Sequence, residues 1–133
     1  MEPNIWGEKA WFFLHSITLS LPEKIPENLQ KDIYIYFSLL QKLLPCPSCK
    51  DNYKKHLVKY PLNNRLKTKK DVVSWLVDIH NEVNKMNNKS IMSYKDVITY
   101  YKNEYGFIGK IKKYYKDVII LILLIIILHT YLI

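Results

Sequence analysis

The sequence predicts an all-α chain: a four-helix bundle with a short fifth helix, followed by a C-terminal hydrophobic helix of transmembrane type. Three observations carry that expectation. Large apolar side chains recur at three- to five-residue spacing, prolines or Asn and Gly clusters interrupt the pattern at helix-like intervals, and no segment alternates with the period of two that a half-buried strand requires.

The first helix is expected from Pro3 to Leu21, with Trp6, Trp11, Leu14, Ile17 and Leu21 on one face, and Pro22 and Pro26 end it. The second runs from Glu27 to Leu44 and turns Leu29, Ile33, Tyr36, Phe37, Leu40, Leu43 and Leu44 inward until Pro45 stops it. Cys46 suits the N-cap of the third and Pro47 its first position, and Tyr53, Leu57 and Tyr60 continue an apolar side to Pro61. Thr68 followed by Asp71 reads as a capping-box-like start for the fourth, whose stripe is Val72, Trp75, Leu76, Ile79, Val83 and Met86, closed at Asn87 and Asn88. Ser93 and Asp96 repeat that start for a fifth helix to Tyr105, after which Gly106 and Gly109 break the pattern. Every residue from Val118 to Leu128 is Val, Ile or Leu, behind Lys110, Lys112, Lys113, Tyr114, Tyr115 and Lys116. A spanning helix needs about 20 apolar residues, so the run is short, but tyrosines and snorkelling lysines extend it. The expected division is a folded domain over 1–108, a basic juxtamembrane linker over 109–117 and a membrane anchor over 118–133.

The formal charge is +8, carried almost wholly by lysine, with Arg65 the only arginine and acidic residues interleaved. A dispersed lysine excess lacks the clustered, arginine-led footprint of base readout, so no specific nucleic-acid partner is expected. Ala10 is the only alanine, whereas Lys, Asn, Ile and Tyr abound, a bias that an AT-rich genome produces unaided. No basic segment followed by an apolar core opens the chain, so no signal peptide is expected, and the body should face the cytosol from its membrane anchor.

The two cysteines, Cys46 and Cys49, close too small a loop to staple a fold. Their side chains stand one helical turn apart on the same side, so a disulfide forms without large backbone movement. At a helix start the exposed N–H groups and the helix dipole lower the thiol pKa and speed exchange. Competing fates are half of a zinc site, which lacks further ligands at the usual paired-histidine spacing since only His56 and His80 are at hand, a thioredoxin-like motif, which lacks its alternating strands, and idle burial. No metal ligands are assigned.

A second constellation adds to the pair. Gly7, Trp11 and His15 are spaced by fours, and Trp75, His80, Asn81, Val83 and Asn84 form W-x4-H-N-x-V-N on the fourth helix. With P-C-x-x-C between them, the region from Ile5 to Lys89 resembles the Erv/ALR family of FAD-linked sulfhydryl oxidases. That resemblance implies an FAD-binding thiol oxidase domain, with FAD held in the bundle beside Cys46 and Cys49 by Trp6, Gly7, Trp11, His15, Trp75, His80, Asn81, Val83, Asn84 and Lys89. It further implies that a substrate dithiol attacks at Cys46, the more accessible sulfur, that Cys49 lies nearer the flavin, and that oxygen is the final acceptor, giving hydrogen peroxide. Additional cysteine pairs found in many cellular members are missing, so a small thioredoxin-like or dithiol protein is the expected electron donor. Asn52 stands where several members carry His, and Ser20 and Leu21 replace a tyrosine near the first-helix histidine. The two-cysteine form resembles the minimal branch of large cytoplasmic DNA viruses, poxviruses and African swine fever virus among them, which points to host cytoplasmic membranes and the virion. A homodimer through the first two helices is what the family suggests. The alternative is a membrane-anchored helical interaction protein whose CxxC binds a metal or a partner without flavin.

Overall fold

A computed structural model describes the backbone of residues 1–132 and the side chains of residues 1–106 and 114–130. Helix follows helix: α1 Pro3–Ser20, α2 Glu27–Leu43, α3 Pro47–Lys59, a 3-10 turn Leu62–Arg65, α4 Lys69–Met86, α5 Tyr94–Tyr105 and α6 Phe107–Leu132. The chain divides into two compact units, Met1–Tyr94 and Lys95–Ile133.

In the first unit α1 packs on α4 and α2 on α3, with α3 also against α4. Their core joins Leu14, Leu21, Ile25, Ile33, Phe37, Tyr53, Leu62, Leu66, Val72, Trp75, Leu76 and Ile79. The ends of these helices follow from local chemistry. Pro3 occupies the first turn of α1 and Pro47 that of α3, where no intrahelical N–H bond is forfeited. At α4, Thr68 Oγ1 accepts from the Asp71 N–H at 3.2 Å and donates to Asp71 Oδ2 at 2.6 Å, a capping interaction that satisfies one exposed donor of the first turn. Asn88 ends that helix in the left-handed region, φ 53°, which asparagine tolerates better than most side chains.

Register between α1 and α4 is set at their facing ends. The Ile25 N–H donates to Lys67 O at 3.0 Å, the Lys69 N–H donates to Glu23 O at 3.1 Å, and Lys24 and Thr68 form an isolated antiparallel bridge. The connection after α1 is thereby tied to the start of α4. Between α2 and α3 the Tyr53 hydroxyl donates to Phe37 O at 3.0 Å, and between α3 and α4 Trp75 Nε1 donates to Tyr60 O at 2.8 Å.

Several side chains fall on other faces than periodicity suggests. Leu43 and Met86 are exposed although both belong to expected inward stripes, while Thr18 and Asn84 are buried. The α4 stripe therefore turns polar at its C-terminal end.

In the second unit Val97 and Tyr101 are buried, and Tyr101 packs its ring against Tyr100 and Tyr105. Gly106 is the single break between α5 and α6, and a Cβ there would collide with the Lys102 carbonyl. Gly109 does not break the pattern, and the expected linker over 109–117 is helical, part of α6.

The expected transmembrane helix is corrected. Among the described residues no helix is long and apolar enough to cross a membrane. The physical reason is length. The uninterrupted run from Val118 to Leu128, at about 1.5 Å per residue, covers only about half of a hydrocarbon core of about 30 Å. Asp117 precedes it, His129 and Thr130 follow it, and Ile133, the last residue of the expected anchor, lies outside the described residues. The expectations of a membrane partner through the tail and of a cytosol-facing membrane location fall with it.

Candidate active site

Cys46 is the N-cap residue of α3, in extended conformation, and its sulfur accepts from the Cys49 N–H at 3.2 Å. The two residues form a disulfide with a Cα–Cα distance of 5.1 Å, well inside the range that a bridge tolerates. Ser48 Oγ lies 3.2 Å from the Cys46 sulfur. On reduction, a Cys46 thiolate would thus meet a backbone N–H, a hydroxyl and the positive end of the α3 dipole. Accessibility differs from expectation: Cys46 is only 6% exposed, whereas Cys49 is half-buried.

Residues expected near the flavin gather where α1 meets α4. Trp11 and His80 stack with ring centroids 3.9 Å apart and planes 7° from parallel. His15 Nε2 is 3.1 Å from His80 Nδ1, so one ring donates and the other accepts. That bond needs at least one neutral imidazole. Burial, and after it the neighbouring His80, pull the His15 pKa down to about 3; burial, and after it the Lys89 charge, pull that of His80 down to about 4. Both rings are neutral at pH 7.

The remaining expected residues divide by what they touch. Trp6 is half-buried, with an indole N–H enclosed and without a protein acceptor. Gly7, one turn before Trp11, leaves open space where a Cβ would stand. Asn84 is buried near the end of α4, Val83 is half-buried beside it, and Lys89 is exposed on the connection that follows. Trp75 is fully buried and packs edge-on to Phe37 at 5.0 Å, so with its N–H on Tyr60 O it serves the core. Both ends of the Asn81 amide are engaged by the backbone of Met92: Nδ2 donates to Met92 O at 2.8 Å, and Oδ1 accepts from Met92 N–H at 2.9 Å.

A flat aromatic stack, an enclosed donor without a protein acceptor, a glycine opening and a buried amide suit a large planar cofactor held by few directed bonds. FAD has that character, and the residues present fit it.

Sequence reasoning passed over Glu82, which lies inside the H-N-E-V-N string. Its carboxylate accepts from Lys85 Nζ at 2.8 Å, Lys59 Nζ at 2.9 Å and the Tyr60 hydroxyl at 3.1 Å. Those bonds, Lys85 first, hold its pKa at about 2. The i,i+3 pairing with Lys85 is legible in sequence; Lys59 and Tyr60 come from the end of α3 and are not. His56, weighed above only as a zinc ligand, is buried with Nε2 lacking a protein partner, and burial lowers its pKa against the opposing pull of Glu82.

Comparison with known proteins identifies the chain's relatives. The model of the Erv1/Alr family matches residues 8–105. A probable FAD-linked sulfhydryl oxidase of Acanthamoeba polyphaga mimivirus is 36% identical over 99 residues, covering 74% of this chain and 69% of that protein. An FAD-linked sulfhydryl oxidase of African swine fever virus is 34% identical over 101 residues, covering 75% and 79%. The Arabidopsis thaliana FAD-linked sulfhydryl oxidase is 29% identical over 85 residues, and the match spans only 44% of its length. Among solved structures, the FAD-binding domain of Erv1 from Saccharomyces cerevisiae superposes with a TM-score of 0.73 at 19% identity, over 80% of this chain and 99% of that one, a likeness of fold. With residues 8–105 matched and the CxxC disulfide standing at the start of α3, the chain belongs to the Erv1/Alr family.

Proposed function

We propose that this chain is an FAD-dependent thiol oxidase that takes electrons from a dithiol and passes them to oxygen, giving hydrogen peroxide. The observation that carries the proposal is the Cys46–Cys49 disulfide at a helix N-terminus, in the same helical unit as the Trp11–His15–His80 cluster. A substrate thiolate attacks one sulfur and expels the other, and the second substrate thiol then resolves the mixed disulfide. One substrate disulfide forms as Cys46 and Cys49 become two thiols. Bound FAD supplies a two-electron acceptor for that dithiol and a route onward to oxygen.

The protein's share is placement. Trp11, His15 and His80 present flat walls and neutral ring nitrogens, Gly7 leaves room, and Trp6 and Asn84 offer polar contacts. The resemblance makes Cys46 the sulfur that a substrate attacks and Cys49 the flavin-side one. Because Cys46 is 6% exposed, a bulky partner must displace neighbouring chain to reach it, which favours small or protruding dithiols. The chain holds only two cysteines, leaving no second pair as a relay, and a small thioredoxin-like protein that delivers its electrons directly suits it as donor.

Homodimerisation is proposed through α1 and α2. Ile35, Leu39 and Leu43 form an exposed stripe along α2, and Ile5 and Phe13 are exposed on α1. A metal-binding CxxC without flavin is disfavoured. Both sulfurs are tied to each other, and among the described residues no three His, Cys, Asp or Glu side chains gather as a metal site.

The test is the visible spectrum of the purified full chain, followed by oxygen consumption with a small dithiol. Flavin bands, and turnover that disappears in Cys46→Ser and in Cys49→Ser, are expected. A folded, colourless and inactive protein overturns the proposal.

A further inference from the structure

The Cys46 sulfur meets one backbone donor and one side-chain donor. Pro47 has no N–H to offer, so the first donor is the Cys49 N–H at 3.2 Å, and the second is the Ser48 hydroxyl, also at 3.2 Å. A disulfide sulfur carries no hydrogen, so across the Ser48–Cys46 contact the hydroxyl donates and the sulfur accepts. Cys46 is only 6% exposed, whereas Ser48 is exposed. Little water reaches the sulfur, and charge that forms on it depends on these two protein donors for the stabilisation that solvent would otherwise give.

We propose that Ser48 is a catalytic residue of the exchange reaction: its hydroxyl donates to the Cys46 sulfur as that sulfur leaves the mixed disulfide, and so directs the mixed disulfide toward product. This rests on the oxidase reading above and adds a residue to its chemistry. The mixed disulfide joins Cys46 Sγ to one substrate sulfur, with Cys49 as a thiolate, and it has two exits. In one, the substrate's second thiolate attacks the substrate sulfur; the substrate disulfide forms, the bond to Cys46 breaks and its electron pair stays on Cys46 as a thiolate. In the other, the Cys49 thiolate attacks Cys46 Sγ; the Cys46–Cys49 disulfide forms again, the electron pair leaves with the substrate thiolate, and nothing has been oxidised. Cys46 becomes a thiolate in the first exit alone. A donor whose bond strengthens as charge gathers on Cys46 Sγ therefore favours that exit, because exchange is faster when the leaving thiolate is better stabilised.

The test examines the sulfur before the turnover. In full-length Cys49→Ala protein, where Cys46 is a single thiol, alkylation by iodoacetamide is followed against pH. Adding Ser48→Ala should move the midpoint upward, lowering the thiol's acid dissociation constant about fivefold, the scale of one hydrogen bond at an exposed hydroxyl; Ser48→Thr, which keeps the hydroxyl, should stay near the parent. With both cysteines present, and above that midpoint, the equilibrium with glutathione should shift by a similar factor toward the disulfide in Ser48→Ala, since only the thiolate state loses a charge-assisted bond. In an anaerobic single turnover with a thioredoxin-like dithiol protein, Ser48→Ala should form the donor disulfide more slowly and hold more mixed disulfide at Cys46, read by mass spectrometry after thiol blocking.

Parental values for both the alkylation midpoint and the glutathione equilibrium in a folded Ser48→Ala protein overturn the proposal, even where its turnover falls, because Ser48 then acts through the fold and not on the sulfur. A parent chain without flavin overturns the oxidase reading. The two sulfur measurements need neither flavin nor oxygen, and in that case they decide the Ser48 bond alone.

Discussion

Trp11 lying flat on His80, with His15 hydrogen-bonded to Nδ1 of that ring, is the most specific arrangement in the molecule, and its protonation is its weak point. Both histidines have folded pKa values lowered from 6.5, to about 3 and about 4. The unfolded chain therefore binds protons that the folded chain refuses, so stability is full above pH 6.5 and declines as pH falls toward 4 and then 3. Denaturant midpoints measured from pH 7 to pH 4.5 should fall, and the fall should shrink when His15 and His80 are both replaced by Gln. An equal slope in parent and double variant would show that the pair is not the titrating unit. The cysteines give a second residue-scale prediction. With a donor protein whose resolving cysteine is replaced by Ser, the single donor thiol should exchange into the Cys46–Cys49 disulfide of the parent and stay bonded to Cys46 as Cys49 leaves as a thiol, read by mass spectrometry after thiol blocking. An adduct mapped instead to Cys49 would reverse the order of attack and agree with the burial of Cys46.

At the scale of elements, the bundle is held by a few interhelical bonds that bracket the site. Glu82 joins α4 to the end of α3 through Lys59 and Tyr60. Its carboxyl is held near 2 against an unperturbed 4.5, so its contribution is present above about pH 4.5 and is lost as pH falls toward 2. Glu82→Gln should therefore lower stability at neutral pH and reduce the acid dependence below pH 4.5, and a variant with parental acid dependence would refute that assignment. The capping interaction at Thr68 is separable from the site. Thr68→Ala should cost about 1 kcal/mol by denaturant titration and leave the flavin spectrum of folded protein unchanged. The limits of α1 to α5 were legible within a residue or two because prolines and caps write them locally, whereas α6 starts at Phe107, eleven residues before the expected apolar helix. Which face of each helix is buried was less so: periodicity assigns Leu43 and Met86 inward, and packing leaves both exposed.

For the whole molecule, the exposed Ile35–Leu39–Leu43 stripe is the surface that a second copy would cover. Leu39→Glu should shift the mass in solution from dimer to monomer, by light scattering or sedimentation, with a folded spectrum retained; a parent that is monomeric throughout the accessible concentration range would remove the interface. The C-terminal helix carries exposed apolar side chains from Val118 to Leu128, yet that run is too short to cross a bilayer, because helix rise per residue is fixed and polar or charged residues flank the run on either side. Composition alone had suggested a span.

The sequence by itself determined the helical class, the limits of the first five helices and the redox pair, since each depends on neighbours within a turn or two: proline at a first turn, a hydroxyl three residues before an N–H, two sulfurs one turn apart. It also singled out Trp11, His15 and His80 through their spacing. Only the tertiary structure decided that Trp11 stacks on His80, that Glu82 ties α3 to α4, that Asn81 grips Met92 and that Cys46 is the more enclosed sulfur. Those facts depend on which faces meet across 11 to 69 residues of chain, and local periodicity leaves that choice open until burial of the core selects one packing.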